Sequence, residues 1–78
     1  MEYLGLFGSV ARGTAGPKSD IDLLVKLNNP PGLIEYMQLE DSLSKAFGRK
    51  VDLVSTRGMS AQLKPYIYQD LITLYENR

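Results

Sequence analysis

The chain has 78 residues, with nine Lys+Arg balancing nine Asp+Glu, and contains no His, Cys or Trp. That length suits one small domain spanning residues 1–78, with a core that buries only roughly 60–65% of the surface the unfolded chain exposes and with neither disulfide nor ordinary zinc site to reinforce it. The same absences exclude an imidazole general base, a Ser-His-Asp triad and a thiolate nucleophile, and zero net charge argues against gripping nucleic acid by bulk electrostatics.

Tyr3 to Phe7 is short, apolar and aromatic and runs straight into Gly8-Ser9, which predicts a strand ending in a tight turn. Arg12 to Ser19 holds Gly13, Gly16 and Pro17 and predicts a loop, after a helical turn near Val10-Ala11. Asp20 to Leu27 predicts a second strand, with Ile21, Leu23 and Val25 on one face and Asp20, Asp22 and Leu24 on the other. Asn28-Asn29-Pro30-Pro31-Gly32 breaks the pattern and suits a helix start. From Leu33, the residues Tyr36, Met37, Leu39, Leu43, Ala46 and Phe47 give a rough helical period, with Gly48 as an αL stop.

Lys50 to Ser55 predicts a third strand around Val51-Asp52-Leu53-Val54. After Arg57-Gly58, the three- and four-residue spacing of Leu63, Ile67, Leu71 and Leu74 predicts an amphipathic helix from Ser60 to Tyr75, with Pro65 near its start. Strand, turn, strand, helix, strand, helix describes a mixed α/β layer. The longest apolar runs, such as Leu23-Leu24-Val25, fall far short of the ~20 residues that span a bilayer. Met1-Glu2-Tyr3 lacks the basic flank of a secretory signal. A cytoplasmic protein with no membrane partner is expected.

Three features carry chemistry if they converge. Gly8-Ser9 ends a strand, where glycine permits close backbone approach and free N–H groups plus a hydroxyl cradle an anion. Asp20-Ile21-Asp22 places two carboxylates on one side of a strand. Asp52 is a lone acid in an apolar strand. If the strands of Asp52 and of Asp20 and Asp22 are neighbours, three carboxylates reach one pocket and form a hard-oxygen site suited to Mg²⁺ shared with substrate phosphates. Singly, the Gly-Ser element is more often just a turn and the acid pair a solvated edge, while the lone acid is as readily an outward-facing residue as a functional one. Gly8 to Gly13 also mimics part of a P-loop, but Thr14-Ala15 stands where that motif requires Lys and then Ser/Thr.

In order and context, Gly8-Ser9-Val10-Ala11-Arg12-Gly13, Ser19-Asp20-Ile21-Asp22-Leu23-Leu24-Val25 and Val51-Asp52-Leu53-Val54 closely resemble the minimal nucleotidyltransferase (MNT) family of the DNA polymerase β-like superfamily. The resemblance runs from about Leu4 to the last helix. It implies an α/β (α+β) fold: a small three-stranded mixed sheet packed with helices, strands one and two antiparallel, and a crossover helix from about Leu33 to a third strand parallel to the second. It implies transfer of AMP from ATP to an acceptor hydroxyl with release of pyrophosphate. Asp20 and Asp22 would hold two Mg²⁺ ions, and Asp52 would complete the metal nearer the acceptor and help deprotonate its hydroxyl. Gly8 N–H and the Ser9 hydroxyl would hold the β/γ-phosphates. Arg12 would either add positive charge there or pair with an acid, and Ser19 would shape the turn before Asp20.

Family members of this size are commonly encoded beside a HEPN-domain protein as a toxin–antitoxin pair, in which AMP attached to a tyrosine silences the HEPN ribonuclease. The resemblance therefore implies an AMPylating antitoxin with a HEPN-domain partner and ATP, and no direct nucleic-acid partner. The alternatives are a non-catalytic antitoxin that neutralises its partner by contact, or a nucleotidyltransferase acting on a small molecule or an RNA end. Relatives often carry a helix before the first strand, whereas here Met1 and Glu2 precede it. An uncovered sheet face would invite a homo-oligomer or partner-dependent stability.

Overall fold

The computed structural model describes residues 2–16, 18–27 and 32–77. The elements are β1 (Tyr3–Phe7), α1 (Gly8–Arg12), β2 (Ile21–Lys26), α2 (Leu33–Phe47), β3 (Val51–Ser55), α3 (Lys64–Asp70) and β4 (Ile72–Glu76). Pro17 and the break at Asn28 to Pro31 lie outside the described residues.

The sheet order is β3-β2-β1-β4. β1 and β2 run antiparallel, pairing Phe7 with Asp22 and Tyr3 with Lys26. β2 and β3 run parallel, pairing Ile21 with Val51, Asp22 with Asp52 and Leu24 with Val54. This is the arrangement that the crossover through α2 allows.

Two expectations are corrected at the C-terminal end. The sheet has four strands, not three, and the last helix stops at Asp70 rather than continuing to Tyr75. Leu71 turns extended (φ −65°, ψ 126°), and Ile72–Glu76 pairs antiparallel with β1. The helical spacing of Leu71 and Leu74 is overridden by two forces. Ile72, Thr73 and Tyr75 favour a pleated strand, and the outer edge of β1 holds backbone groups that need partners. Glu2 N–H donates to Lys26 O (2.8 Å) and Asn77 N–H to Glu2 O (2.9 Å), extending the ladder at that end. Tyr3 and Thr73 hydroxyls meet across the pair at 3.0 Å.

The core lies on one face of the sheet. Leu4, Ile21, Leu23, Val25, Val51 and Leu53 form a buried cluster against which Tyr36, Leu39 and Leu43 of α2 pack. Alternation places Asp22, Leu24, Asp52 and Val54 on the opposite face. There α3 buries Ile67, and Leu71 approaches β1 over Gly5. A Cβ on Gly5 would stand 2.7 Å from Leu71 Cδ1 and 2.6 Å from Tyr3 Oη, so the strand needs glycine at that point.

Both ends of α2 and β3 are tied together. Gly48 (φ 70°) caps α2 with its N–H on Ser44 O, Val51 N–H donates to Ser44 Oγ (3.1 Å), and the Tyr36 hydroxyl donates to Leu53 O of the edge strand. Among the described residues no helix is long and apolar enough to cross a membrane.

Candidate active site

The site begins where β1 turns into α1. Phe7 is still extended, and Gly8 takes φ 77° as the first residue of α1. Gly8 lies over Asp22: a Cβ there would collide with Asp22 Oδ2 and sit 3.1 Å from Asp22 Cγ. Positive φ and this close approach both require glycine. The short α1 carries Ser9 and Arg12 and ends at Gly13 (φ 78°), whose N–H reaches Val10 O at 3.1 Å. Thr14 N–H closes the stub on Ser9 O at 3.0 Å.

The loop returns to β2 through a turn built by Ser19. Gly16 N–H donates to Ser19 Oγ (2.9 Å), and Ser19 N–H donates to Gly16 O (3.1 Å). Asp20 follows, exposed, one residue ahead of β2. Ile21 N–H then donates to Lys50 O at 2.9 Å, which aligns the start of β2 with the start of β3. The parallel register sets Asp22, half-buried, directly beside the exposed Asp52.

The electrostatics follow from this crowding. Burial pushes the Asp22 carboxyl above the usual carboxylate range, the negative charges of Asp52 and Asp20 push it further, and Arg12 opposes them. Asp22 thus stands in the field of the other two acids. They do not form a closed cage: among the described residues, no three acidic, imidazole or thiol side chains converge as a ready cation site. Like charges without a counterion gain by standing apart.

The donor set still fits Mg²⁺, which takes hard oxygen ligands and is held by one or two carboxylates with the remaining positions open to phosphates and water. The collision that a Cβ on Gly8 would make with Asp22 shows that this carboxylate is packed directly against the glycine backbone.

Arg12 pairs with an acid. Its Nη1 donates to Asp70 Oδ2 at 2.7 Å, across from α1 to the end of α3. Neither Asp70 nor Tyr36 was singled out by the sequence. Asp70 reads as one more helix-surface acid and Tyr36 as core, and no spacing signal links either to the site. Burial, then Glu40, then Asp52 raise the Tyr36 hydroxyl pKa, which places this residue in the field of the third acid.

A cavity of about 350 Å³ lined by Tyr3, Leu24, Lys26, Thr56, Tyr68 and Leu71, among others, contains none of the three acids. Two of those acids, Asp20 and Asp52, are exposed. Volume and chemistry lie in different places, and the reactive groups decide where the site is.

Residues 3–74 match the family described as nucleotidyltransferase domain. Protein adenylyltransferase MntA of Thermococcus cleftensis is 32% identical over 69 residues, a match covering 88% of this chain and 70% of that protein. A crystal structure of a toxin–antitoxin with AMP-PNP superposes with TM-score 0.84 at 30% identity, over 99% of this chain and 62% of that one. A structure of a tri-AMPylated Shewanella oneidensis HEPN toxin in complex with an MNT antitoxin superposes with TM-score 0.73 at 26% identity, over 97% of this chain and 57% of that one. The present chain thus spans less than two thirds of the length of either of those structure chains.

Proposed function

The chain belongs to the nucleotidyltransferase-domain family, in its MNT/HEPN toxin–antitoxin branch, and from that premise we propose that it is a cytoplasmic, Mg²⁺-dependent adenylyltransferase that moves AMP from ATP to a tyrosine hydroxyl of a HEPN-domain partner. The observation that carries the reading is the pairing of Asp22 with Asp52 in the parallel register, under a glycine whose missing Cβ leaves space for the Asp22 carboxylate. Supporting it are the AMP-PNP complex and the AMPylated HEPN complex of the similar structures.

Asp20, Asp22 and Asp52 would hold Mg²⁺, which would supply charge neutralisation for an in-line displacement that this chain, without histidine, has no imidazole to assist. The Gly8 N–H and Ser9 hydroxyl bind the β- and γ-phosphates and orient the α-phosphorus. Arg12 adds positive charge at the rim. The acceptor oxygen forms a bond to the α-phosphorus as the bond to the β-phosphate oxygen breaks. Pyrophosphate leaves, and a carboxylate oxygen of Asp52 takes the hydroxyl proton.

The test is the intact mass of the protein encoded next to this chain, after incubation of the two with Mg²⁺ and ATP. AMP-sized increments that vanish with Asp20→Asn/Asp22→Asn are expected. Copurification without any increment would replace catalysis by neutralisation through contact. Neither increment nor copurification would redirect the search to small-molecule or RNA acceptors.

A further inference from the structure

Asp70 is the last residue of α3, where a carboxylate faces the negative end of the helix and is disfavoured. Its side chain is only 15% exposed. A charge so placed and so far desolvated needs a partner, and it has one: the Arg12 guanidinium at 2.7 Å, itself half exposed. Arg12 closes the α1 stub that starts at Gly8, so the ion pair joins the proposed phosphate-binding turn to α3.

A second demand on Arg12 competes with this one. Arg12 ends the five-residue α1 whose first residue, Gly8, packs against the Asp22 carboxylate, and Asp22 stands beside Asp52 in the parallel register, so guanidinium and acids share one corner of the fold. A charge-assisted pair between an Arg and a carboxylate is among the stronger polar contacts. Closing on Asp22, Arg12 would cover the oxygens proposed to hold the metal.

We propose that Asp70 is a positioning residue: its carboxylate holds the Arg12 guanidinium at the rim of the site, where it meets the triphosphate, and keeps it off Asp20, Asp22 and Asp52. The inference rests on the nucleotidyltransferase reading above. Asp70 touches neither nucleotide nor metal; it acts through Arg12.

Two binding measurements test it without turnover: calorimetry with the Mg²⁺ complex of α,β-methylene-ATP, and electron paramagnetic resonance titration with Mn²⁺ in the absence of nucleotide. Asp70→Asn is expected to weaken the triphosphate analogue about tenfold, the scale of one charged hydrogen bond, with AMP unaffected and Asp70→Glu restoring most of the loss. Arg12→Ala should match Asp70→Asn for the analogue, and the double variant should be no weaker than Arg12→Ala. With Mn²⁺ the two single variants separate. Asp70→Asn frees Arg12 onto the carboxylates and weakens Mn²⁺ several-fold, whereas Arg12→Ala and the double variant bind Mn²⁺ at least as tightly as the wild type.

Structural loosening from a broken ion pair would move both single variants alike in the Mn²⁺ titration. Such parallel behaviour overturns the inference, as does an Asp70→Asn variant that binds the analogue as tightly as the wild type or more so. A wild-type chain that binds neither Mn²⁺ nor the analogue overturns the nucleotidyltransferase reading and this inference together.

Discussion

Gly8→Ala isolates what the glycine over Asp22 contributes, because Gly8, Gly13 and Gly48 share nearly the same backbone, at φ 77°, 78° and 70°. Forcing a Cβ into that region costs roughly 1–2 kcal/mol. At Gly13 and Gly48 nothing lies within 4 Å of the added carbon, so that strain is the whole cost. At Gly8 the carbon also meets Asp22 Oδ2, with Asp22 Cγ at 3.1 Å and Cβ at 3.3 Å. Overpacking of this kind adds about 1–3 kcal/mol, so Gly8→Ala should cost about 2–5 kcal/mol in all.

A 78-residue chain has on the order of 4–12 kcal/mol to lose. The variant therefore remains largely folded or becomes marginal, and each kcal/mol lowers the melting temperature by about 4–8 °C. Thermal melts of the three alanine variants, paired with Mn²⁺ titration, give the assay. Gly13→Ala and Gly48→Ala should melt together, and Gly8→Ala well below them with weakened Mn²⁺ binding. Adding Asp22→Ala removes Oδ2 and Cγ and should return part of the lost stability but none of the ion binding. If Gly8→Ala melts with Gly13→Ala and keeps its ion affinity, the close approach is not what demands glycine here.

Gly5→Ala should cost about 1–3 kcal/mol by overpacking against Tyr3 and Leu71, measured by urea melts, while Mn²⁺ affinity stays unchanged; a neutral result would mean that β1 and Leu71 can separate freely. Tyr36→Phe removes the hydroxyl that satisfies Leu53 O on the edge strand and should cost about 1 kcal/mol; an unchanged melting temperature would count against that bond. Asp22 gives a pH prediction for the metal-free protein. Its folded pKa is raised above the ordinary 3.8, so between that value and the raised one the folded chain binds more proton than the unfolded chain, and stability falls as pH rises. Asp22→Asn should therefore be the more stable protein at neutral pH by about 0.2–1 kcal/mol, the scale of exposed charge interactions, with the difference vanishing at acid pH. A variant less stable than the wild type at pH 7 would reverse the sign assigned to this cluster.

Much of the fold could be read from residue order. Tyr3 to Phe7 stops at Gly8 because only glycine takes the positive φ of the next residue, and that punctuation is visible in the sequence. The alternation of Ile21, Leu23 and Val25 against Asp22 and Leu24 reappears in the structure, with Leu24 buried on the second face. Helix α2 begins at Leu33 and ends before Gly48 as its period predicts. The segment after Leu63 failed for a physical reason. A spacing of three and four residues is compatible with a helix, yet Ile72 to Glu76 had an unpaired edge of β1 to satisfy, and no local pattern reveals a vacant sheet edge 70 residues away. The Arg12–Asp70 ion pair, with 58 residues between its members, lies beyond local reading for the same reason.

The sequence by itself determined the chemistry available: three carboxylates, a Gly-Ser turn and an arginine, in the order of a known family, with imidazole and thiol excluded. Only the tertiary structure decided that Gly8, Asp22 and Asp52 come together. Side chains on a strand alternate between faces, so a slip of one residue between β2 and β3 would send Asp52 to the core side and leave Asp22 alone. The packing of Leu23, Val51 and Leu53 against α2 opposes such a slip and sets Asp22 beside Asp52, because it would expose those apolar side chains to water.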